Sequence, residues 1–143
     1  MQKELSKDLL WQKASAYCAK SEHCGQEVRT KLWQWGCRED SWFDEILTRL
    51  AEEKYTDEHR YARAYVHDKV AYQGWGRVKI RMMLIAKGVK ESVVDEALRE
   101  IDPSDYRRAL LKAIDKYKGD RERQIRLALQ RGFGYDEIKE VVG

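Results

Sequence analysis

Apolar residues recur along most of the chain at intervals of three or four, which is the spacing of one face of an α-helix. The clearest case is DPSDYRRALLKAIDKYKG, residues 102–119. Asp102 can cap the first turn, Pro103 suits the first helical position, and Gly119 can end the helix. This segment is therefore predicted to form one amphipathic helix.

The same spacing extends over the whole sequence and predicts an all-α fold. No stretch shows the clean alternation of apolar and polar residues that is typical of a half-buried strand. We expect nine helices, at residues 6–21, 24–35, 40–53, 57–72, 76–87, 91–101, 103–118, 120–131 and 135–142.

Three glycines, Gly36, Gly88 and Gly132, align three segments of the sequence with one another. Apolar residues stand one, six and ten positions after each glycine: Cys37, Trp42 and Ile46; Val89, Val94 and Leu98; Phe133, Ile138 and Val142. Each glycine is expected to adopt the left-handed conformation that closes a helix. The pattern indicates an internal repeat.

Each repeat consists of a helix, a second helix closed by the glycine, and a short third helix. Units of about 45 residues bury too little surface to be comfortably stable alone, so we expect them to stack in series. We predict three tandem three-helix repeats, at residues 1–55, 56–102 and 103–143.

The segment YQGWGRVKIRMMLIAKGV is basic in a chain whose charges otherwise nearly cancel. The chain has 28 Lys and Arg against 25 Asp and Glu, a net charge of +3. Between its outer glycines this segment carries four cations and no acid: Arg77, Lys79, Arg81 and Lys87. Arg77 and Arg81, four residues apart, share one edge of the predicted helix. The cations are expected to face water, as an ordinary solvated surface, or an anionic partner.

The third repeat carries a second basic face. Arg123 and Arg126, three residues apart, share one side of its predicted second helix. The net charge rises from −1 over residues 1–56 to +1 over 57–102 and +3 over 103–143. Binding to an anionic partner is therefore expected to depend on the second and third repeats.

One of the five tryptophans is a candidate partner contact. Trp75 stands between two glycines beside the basic helix, and exposed tryptophans are frequent in binding sites. The other four are more simply explained by packing. Trp75 is therefore the one candidate for an aromatic partner contact, beside the simpler interpretation that it too packs within the fold.

Few residues suggest catalysis or a cofactor. Cys18, Cys24 and Cys37 lack CxxC spacing and are typical of reduced thiols, although His23 raises the alternative of a zinc site. No nucleophile–base pair and no phosphate-binding loop stands out. We expect neither enzymatic activity nor a metal or cofactor.

The N-terminal sequence MQKELSKDLLWQK has no apolar run of signal-peptide length, and no segment is apolar enough to cross a membrane. We therefore expect a cytoplasmic protein without a membrane partner. No coiled-coil seam is present, which favours a monomer.

Several segments taken together resemble the RecX family: SEHCGQEVRTKLWQWG, LAEEKYTDEHRYARAYV, YQGWGRVKIRMMLIAKGV and RLALQRGFGYDEIKEVV. The most specific positions are Asp57, Arg60, Tyr61, Ala62, Tyr65, Gly74, Gly76, Ile80, Leu84, Lys87 and Gly88. The chain departs from the family pattern at Arg77, Met83, Cys24 with Gly25, and Lys54, where proline, glutamate, Ser-Arg and glycine are usual.

The resemblance implies an elongated, curved all-α protein and a regulatory, non-enzymatic role. RecX proteins bind the RecA filament on single-stranded DNA and restrain its growth, ATP hydrolysis, strand exchange and co-protease activity. The candidate filament-binding residues are Arg77, Lys79, Arg81, Lys87, Arg123 and Arg126, with Trp75 as an aromatic contact. Weak binding to DNA alone is also expected. The alternatives are a stand-alone DNA-binding module and a scaffold with apolar concave surfaces.

Overall fold

The computed structural model describes residues 5–143, and within that range it contains nine α-helices and no strand. The helices are α1 Lys7–Lys20, α2 Gly25–Gln34, α3 Asp40–Glu52, α4 Glu58–Ala71, α5 Arg77–Ala86, α6 Glu91–Arg99, α7 Pro103–Asp115, α8 Arg121–Gln130 and α9 Tyr135–Val142. The prediction of an all-α fold is confirmed. The observed helix ends lie within three residues of the predicted ones.

The helices form two compact units. One unit ends at Tyr61 and the other runs over Ala62–Gly143, so the boundary falls inside α4. The division into three repeats, at residues 1–55, 56–102 and 103–143, stays a prediction.

The first unit is built on the mutual packing of α1, α2 and α3. One hydrophobic core cluster of this unit consists of Leu10, Ala14, Cys18, Val28, Leu32, Cys37, Phe43, Ile46 and Leu50. All three cysteines are buried, and none of them forms a disulfide bond. Burial raises the pKa of the Cys18 thiol to about 11, which makes this thiol a poor nucleophile.

The start of α4 is fixed by residues that also carry the family resemblance. The Asp57 carboxylate accepts a hydrogen bond from the Arg60 amide at 3.0 Å, which caps the helix and lowers the pKa of Asp57. The Arg60 guanidinium pairs with Glu22 and donates to the carbonyls of Lys54 and Tyr55 at 3.3 Å each. These residues therefore have a structural role within the first unit.

The three aligned glycines close their helices in one and the same way. Gly36, Gly88 and Gly132 have φ values of 99°, 86° and 92°, all in the left-handed region. In each case the amide of the next residue donates a hydrogen bond to the carbonyl of the residue five positions earlier. The pairs are Cys37 with Leu32, Val89 with Leu84, and Phe133 with Ala128. This is the Schellman arrangement, and the predicted left-handed conformation is confirmed.

We expect the substitution Gly88→Val to lower the free energy of unfolding by about 1–2 kcal/mol, because a β-branched residue is disfavoured at positive φ. No neighbour lies within 4 Å of a Cβ placed there, so the cost is conformational. Gly25→Ala, inside α2 and equally open, is the control and should be neutral or stabilising. Urea unfolding measures both, and an unchanged midpoint for Gly88→Val would contradict the assigned conformation.

In the second unit the start of α5 packs directly on the turn between α8 and α9. The Gly76 amide donates to the Arg131 carbonyl at 2.7 Å, and the Val78 amide donates to the Gly132 carbonyl at 3.0 Å. A Cβ on Gly76 would lie 2.5 Å from Phe133 N. The backbone at the start of α5 can approach the turn between α8 and α9 this closely only because residues 76 and 132 are both glycine.

Candidate nucleic-acid and protein interface

Helix α5 has one buried side and one exposed side. Ile80 and Leu84 are fully buried in the second unit. On the opposite side Val78, Met82 and Ile85 are 53%, 67% and 40% exposed. The cations predicted to bind a partner occupy the two edges between these sides.

Arg81 lies on the first edge and is neutralised within the second unit. Its Nε donates to Asp95 Oδ1 at 2.9 Å, and its guanidinium also pairs with Glu91. The hydrogen bonds from Asp95 and Glu91 raise the pKa of Arg81. The unneutralised basic helix that the sequence suggests is not found at Arg81, because α6 supplies two carboxylates, although part of the side chain faces water.

Arg77 lies on the same edge and is also held from within the unit. Its guanidinium carbon stands 4.0 Å from the centroid of the Tyr106 ring, and Nη1 is 3.5 Å from Glu137 Oε2. Its backbone amide donates to the Tyr106 hydroxyl at 3.0 Å, and burial raises the pKa of Tyr106 to about 12. For Arg77 too the expected unneutralised cation is not found. The role of both arginines in filament binding stays a prediction.

We expect Arg81→Glu to lower the midpoint of urea unfolding, because it places a third carboxylate beside Glu91 and Asp95. Arg126→Glu is the matched control, since Arg126 is exposed and has no ion pair with a described residue. Equal midpoints for the two variants would contradict the structural role assigned to Arg81. An Arg81 variant can therefore lose binding because it is destabilised. Its folding must be checked before the loss is attributed to a contact with a partner.

The second edge of α5 carries a different arrangement, in which lysines surround a tryptophan. Lys79 Nζ lies 4.2 Å from the centroid of the Trp75 ring, and Lys69 Nζ, from the end of α4, lies 4.6 Å from the same centroid. The Trp75 ring is half-buried. Its centroid lies 6.5 Å from the centroid of the Tyr65 ring, and the two rings form an edge-to-face contact. We name Lys69, Trp75 and Lys79 the lysine–indole cluster.

Among residues 5–143 no carboxylate lies within ion-pair distance of Lys69 or Lys79. Both ammonium groups are instead held by cation–π attraction, which leaves their charge available to an anion. Lys87 extends the arrangement, with its Nζ 6.0 Å from the Tyr65 ring. The uncompensated charge of this region therefore lies on Lys69 and Lys79.

The predicted basic face of α8 is only partly free. Arg123 Nε lies 3.4 Å from Asp120 Oδ2, and the guanidinium is 5.6 Å from the Tyr117 ring. Arg126 is exposed and is not engaged by any described side chain. The role of both in filament binding stays a prediction.

Neither a metal centre nor a membrane segment is found in the part of the chain that the structure describes. No group of three His, Cys, Asp or Glu side chains there could hold a metal ion. No helix in the same range combines the length and the apolar character needed to cross a bilayer.

An all-helical fold whose exposed face combines lysines, an indole and apolar side chains is typical of a binding protein. Residues 57–98 match the family model described as RecX, second three-helix domain. The regulatory protein RecX of Prosthecochloris aestuarii is 30% identical over 135 residues, which cover 91% of this chain and 89% of that protein. The chain belongs to the RecX family.

Other relatives carry the same name and differ in length. The regulatory protein RecX of Clostridium botulinum is 35% identical, over 82% of this chain and 59% of that protein. The chain thus spans less than two thirds of this relative. The crystal structure of RecX from Lactobacillus salivarius has a TM-score of 0.80 and 20% identity, over 95% of this chain and 94% of that one. The fold is therefore that of RecX, and the relatives are named regulatory proteins.

Sequence reasoning missed Lys69, which lies outside the glycine-bounded segment. A signal was present, since Tyr65 and Lys69 are four residues apart on α4 and thus share a face that leads toward Trp75. The acids that neutralise the first edge of α5 were missed as well. Asp95 and Glu137 are distant in sequence, and no local pattern predicts which cation they meet.

Proposed function

We propose that this chain binds the RecA filament on single-stranded DNA and mainly inhibits its growth, ATP hydrolysis, recombinase and co-protease activities. It acts by non-covalent binding and is not an enzyme. The cellular setting is DNA repair and the SOS response in the bacterial cytoplasm, with the chain acting as a monomer. The observation that carries the proposal is membership of the RecX family over nearly the whole chain.

The charge distribution of the second unit supports the proposal. A filament on DNA presents phosphates and acidic protein surface, and cations that no internal carboxylate neutralises gain attraction to both. Lys69 and Lys79 are such cations, and their position over one indole limits the side-chain entropy that binding costs. Arg77 and Arg81 contribute less to this attraction because carboxylates already neutralise them.

The test is ATP hydrolysis by the RecA protein of the same bacterium on single-stranded DNA, with this chain added at substoichiometric and equimolar levels. We expect inhibition that grows with the added protein. Unchanged hydrolysis, together with no binding of the chain to RecA-coated DNA, would contradict the proposal.

A stand-alone DNA-binding module is the second candidate. The lysine–indole cluster favours it, because basic grooves with aromatic side chains are also typical of proteins that bind single strands. This candidate predicts tight binding to bare DNA that weakens steeply as salt is added. The filament proposal predicts that bare DNA is bound weakly.

A further inference from the structure

The outward side of α5 is an apolar ridge, which we define as Val78, Met82 and Ile85. The three residues follow one another at intervals of four and three, so they form a continuous stripe along the helix. Each is at least 40% exposed. Apolar side chains grouped in this way on a surface are typical of an interaction site.

The second unit does not need this ridge for its own core. Ile80 and Leu84 already anchor α5 on its inner side and are fully buried. The amides at the start of α5 are bound by Tyr106 and by the carbonyls of Arg131 and Gly132. The exposed side chains of the ridge are therefore not needed to anchor the helix.

The two borders of the ridge differ in charge. On one side the guanidinium groups of Arg77 and Arg81 are occupied by carboxylates of the same unit. On the other side Trp75 is the one side chain among residues 5–143 that engages the Lys79 ammonium group. A complementary surface would present an apolar strip to the ridge and a carboxylate to Lys79.

We propose that the ridge docks on a protein surface of this composition, which, given the function proposed above, belongs to a RecA protomer of the filament rather than to its DNA. The charged phosphates of a DNA strand laid on this side of α5 would meet valine, methionine and isoleucine, and these side chains gain little from burial against charged groups. Charge attraction through Lys69 and Lys79 then orients the approach, and the ridge supplies the contact.

The test compares a ridge variant with a matched control. The variant is Val78→Gln with Met82→Gln and Ile85→Gln, all exposed positions at which glutamine is a good helix former. The control is Leu9→Gln with Leu111→Gln, which removes exposed apolar side chains from α1 and α7. Circular dichroism and thermal unfolding establish that both variants fold like the parent chain.

Binding is measured to single-stranded DNA coated with RecA and to the same DNA without RecA. We expect the ridge variant to bind the coated DNA at least about tenfold more weakly than the parent, because residues at the centre of an interface carry most of its affinity. The control should bind within about twofold of the parent.

The outcomes separate this inference from the function on which it rests. If the parent binds coated DNA and the ridge variant binds equally well, the inference is wrong and the proposed function stands. If the variant loses binding to bare DNA to the same extent, the ridge contacts nucleic acid, and the assignment to protein is overturned. If the parent itself does not bind coated DNA, the proposed function fails and the inference fails with it.

Discussion

Gly132→Ala is expected to lower the free energy of unfolding of the second unit by about 3 kcal/mol. Gly132 has a φ of 92°, and a Cβ there would lie 2.5 Å from the Lys79 backbone nitrogen. The left-handed conformation costs a non-glycine residue about 1–2 kcal/mol, and forcing α5 away from the turn adds about 1–3 kcal/mol. This is a large part of the stability of an ordinary domain.

Gly119→Ala is the matched control for this prediction. Gly119 has nearly the same φ of 91°, but nothing lies within 4 Å of a Cβ placed there. The free energy of unfolding of the Gly119→Ala variant should therefore fall only by the cost of the left-handed conformation, about 1–2 kcal/mol. Urea unfolding of the two variants separates the cost of the left-handed conformation from the cost of the clash between the added Cβ and α5. Equal losses would mean that the close approach of α5 to the turn does not contribute.

Lys69→Glu with Lys79→Glu is expected to raise the concentration needed for half-maximal inhibition of RecA ATP hydrolysis at least about tenfold. The two substitutions turn attraction to an anionic filament into repulsion at two lysines that form no ion pair within residues 5–143. The effect should shrink as salt is added, because salt screens exposed charges. ATP hydrolysis at two salt concentrations measures both features.

Two further variants control for net charge and for the indole contacts. Lys112→Glu with Lys118→Glu makes the same change in net charge at two exposed positions. Lys112 lies in the last turn of α7, and Lys118 lies in the turn that follows this helix. This variant should inhibit nearly as well as the parent. Lys69→Arg with Lys79→Arg keeps both the charge and the cation–π contacts and should also inhibit. Full inhibition by the Lys69→Glu and Lys79→Glu pair would remove the lysine–indole cluster from the interface.

Those parts of the fold that depend on local sequence were predictable. The glycine-closed helix ends at Gly36, Gly88 and Gly132 each follow from a helical pattern, one glycine and the apolar residue after it. The four-residue interval between Ile80 and Leu84 likewise predicts that they share one side of α5. Such features involve neighbours along the chain, so the sequence contains nearly all the information that determines them.

Departures from the family pattern can also be interpreted once the backbone is known. Lys54 has a φ of 62°, the one positive value among the described residues other than glycine. Glycine adopts this conformation without steric cost, whereas a lysine is disfavoured in it. The sequence alone identified the departure without its reason.

The charges of the candidate site could not be predicted in the same way. The basic segment has no acid of its own, yet Arg81 meets Asp95 and Arg77 meets Glu137, 60 residues away. Ion pairs of this kind depend on how helices pack, and the spacing of charges along one helix gives no information about a neighbouring helix. In the structure, therefore, Arg77 and Arg81 are neutralised by carboxylates, and the uncompensated charge lies on Lys79 and Lys69.

The most direct measurement is the affinity of the unmodified chain for two immobilised targets, single-stranded DNA coated with RecA and the same DNA left bare, over a range of salt concentrations. We predict tight binding to the coated DNA, weak binding to the bare DNA, and a preference for the coated DNA that persists as salt is raised. Binding to bare DNA that is as tight as binding to the filament would contradict a filament modulator and support the stand-alone DNA-binding module.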